Sequence, residues 1–452
     1  MSTRPLPDAI RDYRFPRVDR LVTSNGIRVI VAQLSRLPVA TVLCSVDAGA
    51  IREDVRAAGV AQMTARGLAE GTTKRTGDAL AESFEALGSA IEPDAGWDAL
   101  ELRHTVRSSR LRDLLMLASE VLTSPAFPET ELGRLRDERL AEIMQRDTDP
   151  RGLADDLFAR KLYGPESRVR FPIGGEAETV KGLSEFAVQS WYKGMVHPQR
   201  TCVVIAGSVE PNEALAMVEH AFGSWTSNAA TGSTDPVTTR DNPAATHLVT
   251  RTESVQSEIR VGHAGPPRTH PDYFALTVLN AILGGLFGSR LNLNLREAHG
   301  YTYGAFSTFQ WRRDGSTFVI STAVRSDATL QALREVMTEV TRIRAEEVSR
   351  SELTLAIEHL QGVFPIRFET TDALAVALGA QHVFGLPTDY FDVYRDLIGK
   401  VTAADVLRAA REHIRPEALQ VTVIGGPALE EHLVKLEHGE MTVIDAATAV
   451  HG

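Results

Sequence analysis

Short apolar runs bounded by Gly, Pro or Asn-Gly alternate along this chain with longer stretches in which apolar residues recur every three or four positions. In the segment Leu21 to Val31, Asn25-Gly26 separates two apolar runs, the pattern of a β-hairpin, and Val39 to Ala48 continues as a further strand after Pro38. A strand is also predicted from Ser316 to Val324. It is followed by a helix with Asp327 as its cap and Leu330, Leu333, Val336, Val340 and Ile343 on its buried face. Leu132, Leu135, Leu140, Ile143 and Met144 mark another amphipathic helix. Hairpins beside long amphipathic helices predict an α+β fold, with mostly antiparallel sheets and helices packed on one face.

The chain also repeats itself. The run His197-Pro198-Gln199-Arg200-Thr201-Cys202-Val203-Val204-Ile205-Ala206-Gly207 has its counterpart in Arg415-Pro416-Glu417-Ala418-Leu419-Gln420-Val421-Thr422-Val423-Ile424-Gly425. The same offset pairs Ser184 with Thr402, each suited to a helix N-cap, and Val188 with Val406. A constant offset over such a length predicts a duplicated domain. Thr226 to Pro236 is rich in small polar residues and cannot bury apolar surface. The expected organisation is therefore a first domain at 1–225, a linker at 226–246 and a homologous second domain at 247–452.

At 452 residues the chain is long enough for two or more domains with sizeable cores. A formal charge of −11 argues against nucleic-acid binding, which calls for a basic stripe. Cys44 and Cys202 both fall in apolar, strand-like runs and are expected as buried free thiols. No apolar segment approaches the roughly 18 residues of a membrane span. The polar, Pro-rich start lacks an apolar signal core, which leaves two expectations: a periplasmic protein whose presequence has been removed, or a cytoplasmic one.

Thirteen histidines are present, and no two lie three, four or five positions apart. The segment Gly59-Val60-Ala61-Gln62-Met63-Thr64-Ala65-Arg66-Gly67-Leu68-Ala69-Glu70-Gly71-Thr72 nevertheless resembles the zinc helix of the insulinase/pitrilysin family, to which mitochondrial processing peptidase belongs. Active members of that family carry H-x-x-E-H within a leading Gly-hydrophobic-Ala and a trailing Gly-Thr. Here Gln62, Ala65 and Arg66 occupy the positions of the first His, the Glu and the second His. Two His one helical turn apart can grip one zinc ion, and the Glu serves as general base. Gln62 is a weak neutral ligand, Arg66 a permanent cation that repels metal, and Ala65 cannot accept a proton. The family's third ligand is a Glu on a later helix. Glu142 matches that position best, with Glu138 one turn away, and a lone carboxylate there is a relic or a solvated helix charge. No catalytic zinc is expected in this chain.

A second segment resembles the family more fully: Ile282-Leu283-Gly284-Gly285-Leu286-Phe287-Gly288-Ser289-Arg290-Leu291, then Leu295-Arg296-Glu297-Ala298-His299-Gly300-Tyr301-Thr302-Tyr303. Family members use an Arg and a Tyr seven residues later, supplied by the half of the particle that lacks metal, and Arg296 and Tyr303 have that spacing. A phenol can donate a hydrogen bond to the oxyanion of amide hydrolysis, and a guanidinium offers forked donors to carbonyls or a carboxylate. Gly284, Gly285 and Ser289 fall in what the resemblance makes a peptide-contacting loop. No Gly-Lys-Ser/Thr follows it, so nucleotide binding is not indicated.

The resemblance implies a non-catalytic subunit of a two-chain zinc endopeptidase. Its homologous partner would carry the zinc, Arg296 and Tyr303 would act in trans, and unfolded peptides would be held by strand addition. The alternatives are a purely structural scaffold, like relatives in respiratory complexes, or a peptide-binding module without a catalytic role.

Overall fold

The computed structural model describes residues 12–226, 242–252 and 254–446. The Asn25-Gly26 signal is realised as a hairpin, with β1 (Val18–Val22) antiparallel to β2 (Arg28–Gln33) and Gly26 in the left-handed region at φ +92°. β3 (Val39–Val46), β4 (Asp94–Ala95), β5 (Leu100–Arg107) and β6 (Thr201–Gly207) complete a six-stranded sheet in the order β1-β2-β6-β3-β5-β4. A second six-stranded sheet holds β7 (Ala245–Thr250), β8 (Gln256–Gly265), β9 (Thr302–Arg312), β10 (Gly315–Arg325), β11 (Gln420–Gly425) and β12 (Glu440–Asp445), in the order β12-β7-β11-β8-β10-β9. Three neighbouring pairs, β2–β6, β7–β11 and β7–β12, are parallel and the others antiparallel, so the fold is α+β with mixed sheets in which antiparallel pairing prevails.

The repeat seen in the sequence has a physical counterpart. Ser184 caps helix Glu185–Met195 through the N–H of Ala187, and Thr402 caps helix Ala403–His413 through the N–H of Asp405. Each helix is followed by a short 3₁₀ turn, Pro198–Arg200 or Pro416–Ala418, and then by a wholly buried strand, β6 or β11. Val188 and Val406 are both buried. Residues 227–241, which hold most of the expected linker, lie outside the described residues.

Helices do not cover one face of each sheet, as the sequence pattern suggested; they cover both. In the first sheet Val29, Val31, Val42, Cys44, Val203 and Ile205 pack into one core, while Ile30, Leu43 and Val204 on the opposite face join Leu374, Ala375 and Leu378. Those last three belong to helix Thr371–Val383, which comes from the other half of the chain. Gly379 sits so close to the strand that a Cβ there would lie 2.5 Å from the Leu43 side chain. In return, Leu153, Ala154 and Leu157 of helix Pro150–Leu162 pack on Val249 and Ile424 of the second sheet. Burial on both faces explains why β3 and β6 read as continuous apolar runs rather than alternating ones.

Of two smaller expectations, the first holds and the second does not. Cys44 and Cys202 are buried free thiols, and burial pushes both up to about 12. Asp327 does not cap the helix after β10. It lies in a 3₁₀ turn, Ser326–Ala328, ahead of helix Thr329–Ala345, where its carboxylate pairs loosely with Arg325 at 3.4 Å.

Candidate functional site

Helix Val60–Gly67 holds the degenerate zinc positions. It begins at Gly59, whose φ of +101° and near approach to the Gly174 carbonyl (2.8 Å from where a Cβ would stand) suit glycine alone. Gly67 lies against Phe127 and Leu132, and Gly71 takes φ +127° in a turn from which Thr72 donates to Glu120 at 2.6 Å. The glycine frame of the motif is thus required by chain geometry, whether or not a metal is present.

At the chemical positions the arrangement is that of an ion pair. Arg66 makes a two-pronged bond to Glu142 of helix Glu129–Thr148, at 2.9 and 3.1 Å, and Arg139 adds a third bond at 2.9 Å. Hydrogen bonding from Arg66, then from Arg139, outweighs burial and holds the Glu142 carboxyl below the usual range. Ala65 is fully buried in the core, and the Gln62 carboxamide oxygen rests over Gly174. Glu138 instead pairs with Arg134 at 2.6 Å. Two guanidinium groups on one carboxylate leave this position with a positive excess and no nitrogen ligand, so the catalytic zinc that active family members hold at these positions does not fit here. Among the described residues the one cluster with metal-ligand geometry lies elsewhere, at His270, Asp272 and His413. There Arg408 already grips Asp272 at 2.6 and 2.9 Å.

Sequence reasoning missed what anchors this helix. Glu53, fully buried, accepts from the N–H groups of Gly59 and Ala61 at 2.9 and 2.7 Å and from Arg168 at 2.6 Å. Arg168 in turn donates to the carbonyls of Phe171, Pro172 and Ile173. One ion pair therefore fixes both the helix N-terminus and the 171–175 turn that faces Gln62. No spacing rule links residues so far apart in sequence, and neither carries a motif.

The second segment folds as two π-helical turns, Ala281–Gly285 and Asn292–Ala298, around the glycine-rich loop. Gly284 is buried, with Ser307 N–H 2.5 Å from the place a Cβ would take; Gly285 is exposed; Ser289 is 2 % exposed. Arg296 leaves the second π-turn half-buried, its guanidinium 4.3 Å from the centroid of the exposed Phe287 ring. Gly300, at φ +64°, then reverses the chain into β9, where Tyr303 is 93 % exposed. Phe287, Leu293, Phe306 and Leu355 are exposed apolar side chains in or beside the same segments.

Two anchors hold this region. Asn292 donates to the Leu286 carbonyl and the Ser289 hydroxyl and accepts from the Ala305 N–H, which ties the loop to the start of β9. Arg290, buried, makes a two-pronged bond to Glu352 at 2.6 and 3.2 Å, and Glu352 closes a capping box with Ser349 on helix Arg350–Val363. Arg290 stands inside the recognised motif, so its signal was available; Asn292 was legible only as a polar residue within an apolar run.

The structure does not bring the two candidate constellations together. Gln310, farther along β9, lines the same cavity as Gln62, and at about 3.4 Å per residue Tyr303 lies roughly 24 Å up the strand.

Comparison with known proteins agrees with this architecture. The family model described as Insulinase (Peptidase family M16) matches residues 28–166, and that described as Peptidase M16 inactive domain matches residues 183–360. An uncharacterized zinc protease of Mycobacterium leprae is 25 % identical over 366 residues, covering 80 % of this chain and 81 % of its own length. A probable mitochondrial-processing peptidase subunit beta of Arabidopsis thaliana is 24 % identical over 422 residues, covering 89 % of this chain and 77 % of its own. A crystal structure described as a peptidase M16 inactive domain, from Pseudomonas fluorescens, superposes with a TM-score of 0.84 at 23 % identity, over 90 % of this chain and 98 % of that one. The chain belongs to the insulinase family, peptidase family M16, and fits its processing-peptidase-like branch.

Proposed function

We propose that this chain is the zinc-less subunit of a two-chain endopeptidase and lends Arg296 and Tyr303 to the active centre of a homologous, zinc-bearing partner. The observation that carries the reading is the exposure of Tyr303: an aromatic ring 93 % open to solvent, seven residues after Arg296 in segments that also hold the exposed Phe287, Leu293 and Phe306, is open to a partner or substrate. Exposed apolar groups gathered in one region mark a place where another molecule binds. In the chain's own zinc-helix remnant Glu142 is taken up by Arg66 and Arg139 rather than left for a metal. The reading treats 1–225 and 247–452 as two homologous units, as the matching caps, turns and strands support.

In this arrangement the Tyr303 hydroxyl donates to the oxyanion formed at the scissile amide, and Arg296 holds a substrate carbonyl or carboxylate. Gly285 presents backbone to the peptide, while Gly284 and Ser289 act from beneath by fixing the loop. The substrate is an unfolded peptide, paired to a sheet edge; β9 is an edge strand of the second sheet and leads directly away from Tyr303.

The test is to co-purify the chain with a homologous subunit that bears an intact zinc motif and to follow cleavage of an unfolded peptide. Tyr303→Phe is expected to lower kcat by about 10²–10³ without changing co-purification. Unchanged turnover removes Tyr303 from catalysis, and zinc-dependent cleavage by the isolated chain ends the proposal.

A further inference from the structure

A cavity of about 410 Å³ opens between the two halves of the chain, bounded by the 171–174 turn and helix Pro150–Leu162 on one side and by β9 and β10 on the other. Its size falls within the range of small-molecule sites. Five charged side chains line it, and four of them are already neutralised. Arg139 pairs with Glu142, Arg146 makes a two-pronged bond to Asp156, and Asp155 pairs with Arg260.

The fifth is Arg312, which is 3 % exposed and forms no ion pair among the described residues. Its hydrogen bonds leave from Nη2, to the Tyr163 hydroxyl and the Thr317 hydroxyl at 2.7 Å each, while Nε is buried without an acceptor. Asp98, whose charge reaches Arg312, is engaged by the N–H of Arg313 instead. Other enclosed guanidinium groups have carboxylates: Arg168 has Glu53, Arg260 has Asp155 and Glu258, and Arg290 has Glu352. Arg268, which lacks one, is covered by the Tyr273 ring at 3.4 Å and bonded to the Tyr390 hydroxyl. An enclosed cation lining a cavity with no carboxylate bonded to it is set up for an anion, because two hydroxyls, the charge of Asp98 and the Trp97 and Tyr163 rings compensate its desolvation only in part.

The rest of the cavity says what carries that anion. Trp97 lies beside the guanidinium, whose Cζ is 5.7 Å from the ring centroid, and Phe158 and Phe171 add apolar wall. Gln62 and Gln310 supply neutral amides. A bare phosphate would leave the aromatic wall unused. The geometry points to a binding site for a carboxylate borne on an apolar or aromatic body, with Arg312 as its counter-charge. The free C-terminus of a peptide and a small aromatic acid share this chemistry. The site is independent of the proposed partnership, since it is built wholly from this chain and is read out without a partner.

Calorimetric titration of the purified full chain tests it, with N-acetyl-L-phenylalanine, its carboxamide, and a pentapeptide ending in Phe with either a free or an amidated C-terminus. The free acid is expected to bind at least about tenfold more tightly than the amide, since charge-assisted bonds to guanidinium are the stronger ones. Arg312→Met is expected to abolish that preference. Because Arg312 is enclosed and its loss could impair folding, Gln310→Glu, at an exposed position, gives a second readout: it places a negative charge beside the bound carboxylate and weakens the acid but not the amide. Competition by the free-ended pentapeptide identifies a peptide terminus as occupant, and its failure beside a binding small acid identifies a free acid; both support the site. Equal binding of acid and amide, no binding of either up to about 10 mM, or an acid preference that survives Gln310→Glu overturns it.

Discussion

Replacing Glu53 by Gln removes one charge from the ion pair that anchors helix Val60–Gly67. The side chains of Glu53 and Arg168 are 0 % and 4 % exposed, so solvent screening gives no relief. In the variant Arg168 keeps its carbonyl partners but loses its carboxylate, and a carboxamide nitrogen must face donors from Gly59, Ala61 or Arg168 itself. Leaving one partner of a buried pair uncompensated costs about 3–5 kcal/mol. The mismatched donor is part of that sum, not an addition to it. For a folding unit of roughly 200 residues each kcal/mol moves Tm by about 2–4 °C, so a fall of about 6–20 °C is expected by calorimetry. Arg168→Met should behave differently. Burial pushes the Glu53 carboxyl above its ordinary value, against the pull of Arg168 and two N–H groups, and without Arg168 the carboxyl takes up a proton on folding. A folded-state pKa raised above the unfolded value gives stability that is full below about pH 4.3 and is lost as pH rises, so this variant should weaken relative to the native chain as pH climbs above that value. Joint replacement of both residues by Met should cost less than the sum of the single changes. A Glu53→Gln melting point within about 2 °C of the native one would refute the reasoning.

The same geometry sets further outcomes. Gly59→Ala, which forces an L-residue to φ +101° against a backbone carbonyl, should lower stability by at least about 1–2 kcal/mol. Arg66→Ala, which breaks a pair 29 % and 43 % exposed, should cost no more than about 1 kcal/mol, and the reverse order in thermal melts would contradict the claim that the motif's frame is structural. Burial works against ionisation of Glu352, but Arg290 and the Ser349 N–H and hydroxyl outweigh it and hold the carboxyl down at about 2. Its stabilisation is therefore present above about pH 4.3 and lost as pH falls toward 2, so melts of the native chain and Glu352→Gln should converge across that window. Finally, Gln62→His with Arg66→His should admit zinc weakly through Glu142, as read by equilibrium dialysis, with Arg139 still competing for the carboxylate. Adding Ala65→Glu should destabilise the chain, because Ala65 is wholly buried; a stable, fully active triple variant would show that the surrounding shell is intact.

Much of this fold was legible because local signals and tertiary structure agree. Asn25-Gly26 turns a hairpin, Ser184 and Thr402 cap equivalent helices, and the two Gly-ended runs are equivalent strands. What stayed hidden is long-range. Helices exchanged between the sheets leave no periodic trace in either half, although the unbroken burial of β6 was a hint that both its faces are covered. Asp327 was misplaced because a 3₁₀ turn intervenes before the helix, a distinction of one or two residues that propensity does not make. The candidate site divides in the same way. Arg296, Tyr303 and the altered zinc positions lie within contiguous motifs, whereas Glu53, Arg168 and Arg312 matter through partners more than a hundred residues distant.

The two halves of the family's chemistry are supported here by separate hardware. Helix Val60–Gly67 is held by Glu53, Arg168 and the 171–175 turn, and the Arg296–Tyr303 segment by Asn292 and by Arg290 on Glu352; no anchor is common to both. Elements with no shared partner ordinarily couple weakly. Zinc could therefore be lost from the first without disturbing the second, provided the carboxylate left behind found another cation. Arg66 meets that condition: a guanidinium from the former ligand helix now binds Glu142 with both prongs, and the glycine frame keeps the helix where it was. Because the exposed Tyr303 depends on none of this, the role proposed for Arg296 and Tyr303 does not require zinc at positions 62 and 66 of the same chain.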